Sequence, residues 1–196
     1  MTSVTMKDII AEAGYSHGAI YKYYKNLDEV VTDLLIRINV TYSFDDALNE
    51  IFDECGSDDW QTAVREICEL FAKQMVNAGP EILKISLYSQ VFAVSDPKRA
   101  KQIAVKIGNE SISPLQSAVD MLRPYLEKVI RIKKLRPTRS VDELIQFIIA
   151  YYSGVESAYV FSDSFYPESA RDNGSPENMF SCLADALILM LKGGKR

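Results

Sequence analysis

The chain has 196 residues, 47% of them hydrophobic and 25% charged, ordinary values for a globular protein long enough to bury a sizeable core. Its net charge of −5, from 22 basic and 27 acidic residues, excludes a surface that binds nucleic acid everywhere, so any DNA contact must come from a local face with moderate salt dependence. Cys55, Cys68 and Cys182 have no paired spacing and the single His17 cannot complete a zinc site with them; with no signal peptide and no apolar run of the ~20 residues that span a membrane, we expect reduced thiols, no metal, no cofactor and a cytoplasmic protein.

The first elements follow at once. Thr5 with Asp8 three residues on is a capping-box pattern, and Ile9, Ile10 and Ala13 give the helix behind it an inward face. Gly14 stands where that helix must stop, since glycine enters the left-handed conformation without steric cost. Ser16 caps a second helix whose apolar residue is Ile20, and Asn26 with Glu29 opens a third that carries Val30, Val31, Leu34, Leu35 and Ile38 inward. Helix, glycine turn and helix make a helix-turn-helix, in which the second helix enters the major groove. The composition of the second helix suits the groove. From Ser16 to Lys25 it carries His17, Lys22 and Lys25 and no acid, interleaved with Tyr21, Tyr23 and Tyr24. Lysines and hydroxyls meet phosphate oxygens, and the small Gly18 and Ala19 let the helix approach base edges.

The stretch Thr5, Asp8-Ile9-Ile10, Ala13-Gly14-Tyr15-Ser16, Gly18, Tyr21, Tyr24 and Leu27-Asp28 resembles the DNA-binding segment of the TetR (tetracycline-repressor) family of transcriptional regulators. The resemblance implies a DNA-binding set of Thr5, Ser16, His17, Gly18, Ala19, Tyr21, Lys22, Tyr23 and Lys25. The chain departs from the family at two points. Leu27 replaces a lysine that meets phosphate, and only Met1 to Val4 precede Thr5 where the family has a further helix. The expectation is a protein that naturally starts upstream of Met1. Without that first helix Ile9, Ile10, Ile20 and Val30 or Val31 would be partly uncovered, residues 1–25 would be mobile, and DNA would be held weakly.

Beyond Ile38 the helical pattern enters an acidic stretch, Asp45 to Asp59, and Gly56-Ser57-Asp58 ends it. Trp60, Val64, Ile67, Cys68, Phe71 and Met75 then form one apolar face, stopped by Asn77-Ala78-Gly79-Pro80. A second helix from Glu81 to about Val94 is apolar around much of its circumference and is expected at the centre of a bundle. Ser95-Asp96-Pro97 starts a weakly amphipathic helix, Ser113-Pro114 another, which Pro124 should kink or restart. Arg123, Lys128, Arg131, Lys133, Lys134, Arg136 and Arg139 face one acid, Glu127, and read best as a solvated helix end, a second nucleic-acid patch being the alternative. Ser140 caps a long helix striped by Val141, Leu144, Ile145, Ile148, Tyr152, Val155 and Tyr159, with Ser153-Gly154 allowing close approach. A loop with Pro167, Asn173, Gly174, Ser175 and Pro176 leads to a last helix with Met179, Phe180, Leu183, Leu187, Met190 and Leu191. No strand alternation, phosphate loop or repeat appears.

The reading is therefore an all-α protein: a helix-turn-helix over residues 1–40, then a helical ligand-binding and dimerisation bundle over 41–196. By the resemblance, its last two helices pair with their copies in a homodimer through Ile148, Tyr152, Val155, Tyr159, Leu183 and Leu187. Tyr88, Phe92, Met121, Tyr125, Phe147 and Tyr151 are candidates for a ligand pocket, each of which also fits plain core packing. The functional expectation is a regulator, a repressor by family habit, that a small-molecule effector releases from a near-palindromic double-stranded operator. The alternative is a helical small-molecule-binding dimer that no longer binds DNA well. No positioned base or nucleophile calls for an enzyme.

Overall fold

The computed structural model describes residues 4–41, 43–106, 115–162 and 174–193, and among them every regular element is a helix. In chain order these are α1 (Met6–Ala13), α2 (His17–Tyr21), α3 (Leu27–Thr41), α4 (Asp45–Cys55), α5 (Trp60–Ser95), α6 (Pro97–Lys106), α7 (Leu115–Lys133), α8 (Val141–Val160) and α9 (Pro176–Lys192). The Ser113-Pro114 start and most of the loop containing Pro167 and Asn173 lie outside the described residues.

α5 is the spine. It packs along α9, α8, α4 and α6, while α7 bridges α4 and α8. Its first half buries Trp60, Val64, Ile67, Cys68, Phe71 and Met75, the face that the sequence spacing selects. At Gly79 the backbone leaves the helix (φ 70°, ψ 166°) and Pro80 restarts it, so the expected stop is present and α5 consists of two helical segments that meet at a kink. Phe71 sits at the centre of the core, its ring 5.2 Å from Phe44, 5.6 Å from Tyr152 and 5.9 Å from Phe180. This cluster ties α4, α5, α8 and α9 together.

Two expectations change. The second half of α5 is not central: Tyr88, Val91 and Val94 are exposed, because that half is covered on one side only. α7 runs unbroken through Pro124, which lies on its exposed face while Leu122, Tyr125, Leu126 and Val129 on either side are buried. Burial of those side chains, roughly 1.5–3 kcal/mol each, outweighs the one helix hydrogen bond that proline cannot donate. The basic stretch behaves as a solvated helix end that offsets acids, with Arg123 paired to Asp142 at 2.6 Å and Lys133 to Asp58 at 2.5 Å. Burial raises the thiol pKa of Cys55 to about 11 and of Cys68 to about 12, so both stay protonated. No described helix is long and apolar enough to cross a membrane.

Candidate nucleic-acid interface and effector cavity

The N-terminal elements are built from their caps. The Thr5 hydroxyl donates to Asp8 Oδ2 at 2.6 Å, its amide donates to the same oxygen at 2.8 Å, and Asp8 N–H returns a bond to Thr5 Oγ1. The two bonds from Thr5 hold the Asp8 carboxyl below the ordinary aspartate range. Gly14 takes φ 67°, which turns the chain, and Ser16 Oγ accepts from Ala19 N–H to start α2. That leaves the Ser16 O–H to donate outward, whereas the Thr5 proton is committed to Asp8.

α2 presents its polar face to solvent. Ser16, His17, Gly18, Tyr21, Lys22, Tyr23 and Lys25 are exposed, and Ala19 and Ile20 are half-buried. His17 stacks on Tyr21 with 5.4 Å between ring centroids, and Lys22 Nζ lies 6.0 Å from the Tyr23 ring. Thus every DNA-facing candidate falls on one short segment except Thr5, which lies at the exposed start of α1. Tyr24 serves the scaffold instead. Its hydroxyl donates to Asp33 Oδ2 at 2.6 Å, and Arg37 Nε meets the same oxygen at 2.9 Å. These bonds tie the end of the recognition segment to α3 and hold the Asp33 carboxyl below its usual range. On the inner side Ile10 is buried, and Ile9, Ile20, Val30 and Val31 are half-buried.

α3 carries this unit into the bundle. Leu35 packs with Ala100, Ile103 and Ala104 of α6. Asp28, in the first turn of α3, pairs with Arg99 of α6, whose guanidinium also lies 5.2 Å from the Phe92 ring. One turn beyond Leu35, Ile38 reaches a cavity of about 270 Å³. The cavity is lined from α3 (Ile38), α5 (Gln74, Ile82, Leu83, Ser86, Gln90), α7 (Leu115, Gln116, Val119) and α8 (Ile149, Tyr152, Ser153, Glu156), together with Phe44 and Ala78.

None of the six aromatic or pliable candidates lines it. Tyr88 points to solvent, and Phe92 lies under Arg99. Tyr125 is buried, stacked on Phe52 at 4.2 Å with its hydroxyl donating to Gly56 O, and Tyr151 donates to Met179 O at 2.7 Å. Met121 and Phe147 pack against the main core. The cavity opens elsewhere, between aliphatic and aromatic side chains such as Ile38, Phe44, Leu83 and Tyr152 and the polar Gln74, Ser86, Gln90, Ser153 and Glu156. The dimer candidates also shift. Ile148, Val155, Leu183 and Leu187 are buried in the protomer's own core, Tyr152 lines the cavity, and Tyr159 is half-buried. The most apolar stripe of each helix faces α5 and leaves a different, less apolar side outward. Sequence reasoning did not single out Ile38 or Glu156 for the cavity, although Glu156 is the single charged residue between Leu144 and Ser162.

Comparison with known proteins addresses the first of these sites. Residues 1–34 match the family model described as bacterial regulatory proteins, tetR family, which spans α1, α2 and the first half of α3. The N-terminal unit belongs to the tetR family. The family is one of DNA-binding transcription regulators, and the capped helices and exposed polar face of α2 are the parts that such a unit needs. No curated protein and no solved structure matches the chain, so the tetR-family assignment rests on the N-terminal unit.

Proposed function

We propose that the protein is a repressor that works as a homodimer and leaves its operator when a small molecule occupies the cavity of the bundle. The observation that carries this reading is Ile38: the same helix that follows the recognition segment forms part of the cavity wall. A molecule entering there meets α3 directly. It alters DNA affinity only through its different affinity for the two placements of α3, a coupling that typically amounts to 1–3 kcal/mol, or roughly 5- to 150-fold. Tyr24, Asp33 and Arg37 make α2 and α3 move together, and the Asp28–Arg99 pair with the Leu35 contact ties α3 to α6.

The surface offered to a second copy is the outward side of α8 and α9. Ala150, Gly154 and Ala158 recur at a spacing of four along α8, with Phe161 following at its C-terminal end, and Met179, Cys182, Ala186 and Leu189 recur at spacings of three and four along α9. Leu189 is 69% exposed, and a methyl group added at Gly154 would meet nothing within 4 Å in its own chain. A glycine in mid-helix costs about 1 kcal/mol relative to alanine, and close approach of a partner helix accounts for its presence. Two recognition helices in such a dimer would read half-sites about 34–36 Å apart, or multiples of that.

Selection of bound duplexes from a random pool tests the DNA-binding role, with enrichment of a near-palindrome expected. Filling the cavity tests the coupling. Ser153→Phe, placed in the cavity wall, should change affinity for the selected duplex by roughly 5-fold or more while leaving the dimer intact. Equal affinity of the filled and unfilled proteins would refute signalling through Ile38.

A further inference from the structure

We propose that the cavity takes a small organic cation, an amine with an apolar body, whose ammonium group is read by Glu156. The proposal rests on the reading of this cavity as the effector site and gives it a ligand class. Glu156 is 2% exposed, on the inner side of α8. Its carboxylate accepts from Gln90 Nε2 at 3.2 Å and from the Ser86 side chain. An ionised carboxylate has about four acceptor positions, so two neutral donors leave it under-satisfied. A buried charge of this kind is retained where something of opposite sign meets it.

Among the described residues, nothing of opposite sign lines the cavity. α8 contributes Tyr152 and Ser153 beside Glu156, α5 contributes Gln74, Ser86 and Gln90, and α7 contributes Gln116, whose amide is held by Asp120 at 2.9 Å. The ionisable groups of this lining are thus Glu156 and Tyr152, and both acquire negative charge on titration. Burial raises the pKa of Glu156, and burial followed by the Glu156 charge raises that of Tyr152. An anionic ligand would face this negative wall, whereas an ammonium group would supply the missing partner. The remaining wall, with Ile38, Phe44, Ile82, Leu83, Val119 and Ile149, asks for an apolar body behind the charge.

The sign of the pH dependence follows. A cation favours ionised Glu156, so its affinity rises with pH through the elevated pKa of the carboxyl and levels off once that group is ionised. A neutral ligand of the same shape has no such dependence.

The test is calorimetric titration of the full chain with butyl-, hexyl- and octylammonium, the matching alcohols, and the matching carboxylates. At least one ammonium compound should bind tenfold or more tightly than its alcohol, with the carboxylate weakest. Glu156→Gln should remove that preference while alcohol binding persists, which also reports that the variant is folded. The wild-type pH series supplies the same information without a substitution: ammonium affinity rises with pH while alcohol affinity stays flat. Equal binding of ammonium and alcohol, tighter binding of the carboxylate, a flat ammonium pH profile, or no binding by any of the series overturns the proposal. The effector reading fails separately. An ammonium compound that binds with Glu156 dependence yet leaves DNA affinity unchanged upholds the ligand class and overturns the regulatory role of the cavity. A carboxylate or alcohol that releases DNA does the reverse.

Discussion

Replacing Lys22 by alanine tests the recognition segment most directly. Lys22 lies at the exposed end of α2, and among the described residues no carboxylate pairs with it. Its ammonium is therefore available to neutralise a phosphate. Each neutralised phosphate contributes about 0.9 to the slope of log K against log salt on duplex DNA. If one protomer engages, Lys22→Ala lowers the slope by about 0.9; if a dimer engages with both recognition helices, by about 1.8. Over a rise from roughly 50 to 200 mM salt, those slopes correspond to about 3.5-fold and about 12-fold less loss of affinity than in the unmodified protein. Fluorescence anisotropy with a labelled duplex across a salt series reads both the slope and the number of helices engaged. The loss should be similar for unrelated duplexes, because a phosphate contact carries no sequence information. Lys73→Ala serves as the control: that lysine is exposed on α5, 3.7 Å from Glu69, and its loss should leave the slope unchanged. An unchanged slope for Lys22→Ala, or an equal change for Lys73→Ala, would refute the placement of α2 on DNA.

Two further substitutions separate interface from core. Gly154→Leu should give a folded monomer in sedimentation, with helix propensity improved by roughly 0.8 kcal/mol in the protomer, whereas Val155→Asp should prevent folding because that side chain is 2% exposed inside the protomer. A dimeric Gly154→Leu protein would rule out the outward face of α8 as the contact. At the start of the chain, the depressed pKa of Asp8 means that its contribution to α1 is complete above the ordinary aspartate value of about 4 and is lost as pH falls through the lower folded value. Amide exchange in α1 should therefore quicken on acidification, and Thr5→Ala should quicken it already at neutral pH and flatten its acid dependence; an unaltered pH profile would show that the capping box does not hold this helix.

Features that depend on neighbours along the chain were legible in the amino-acid order. Caps act over three residues, so Thr5 with Asp8, Asn26 with Glu29 and the caps Ser16 and Ser140 were readable as local chemistry, and so was the left-handed turn at Gly14. The polar face of α2 was readable for the same reason, since five consecutive helical residues display their own chemistry wherever they dock. Which side of each long helix meets which neighbour is a different matter, because a helix apolar on more than one side has several ways to pack. α8 and α9 are of this kind, and contact with α5 turns Ile148, Val155, Leu183 and Leu187 inward and leaves Gly154 and Leu189 outward. The cavity lay furthest from view. It is the space that side chains from α3, α5, α7 and α8 fail to fill, and no stretch of sequence encodes a void. Its wall holds Ile38 and Glu156, which belong to no motif, while the six residues singled out by type, such as Tyr88, Tyr125 and Tyr151, pack the core or face solvent.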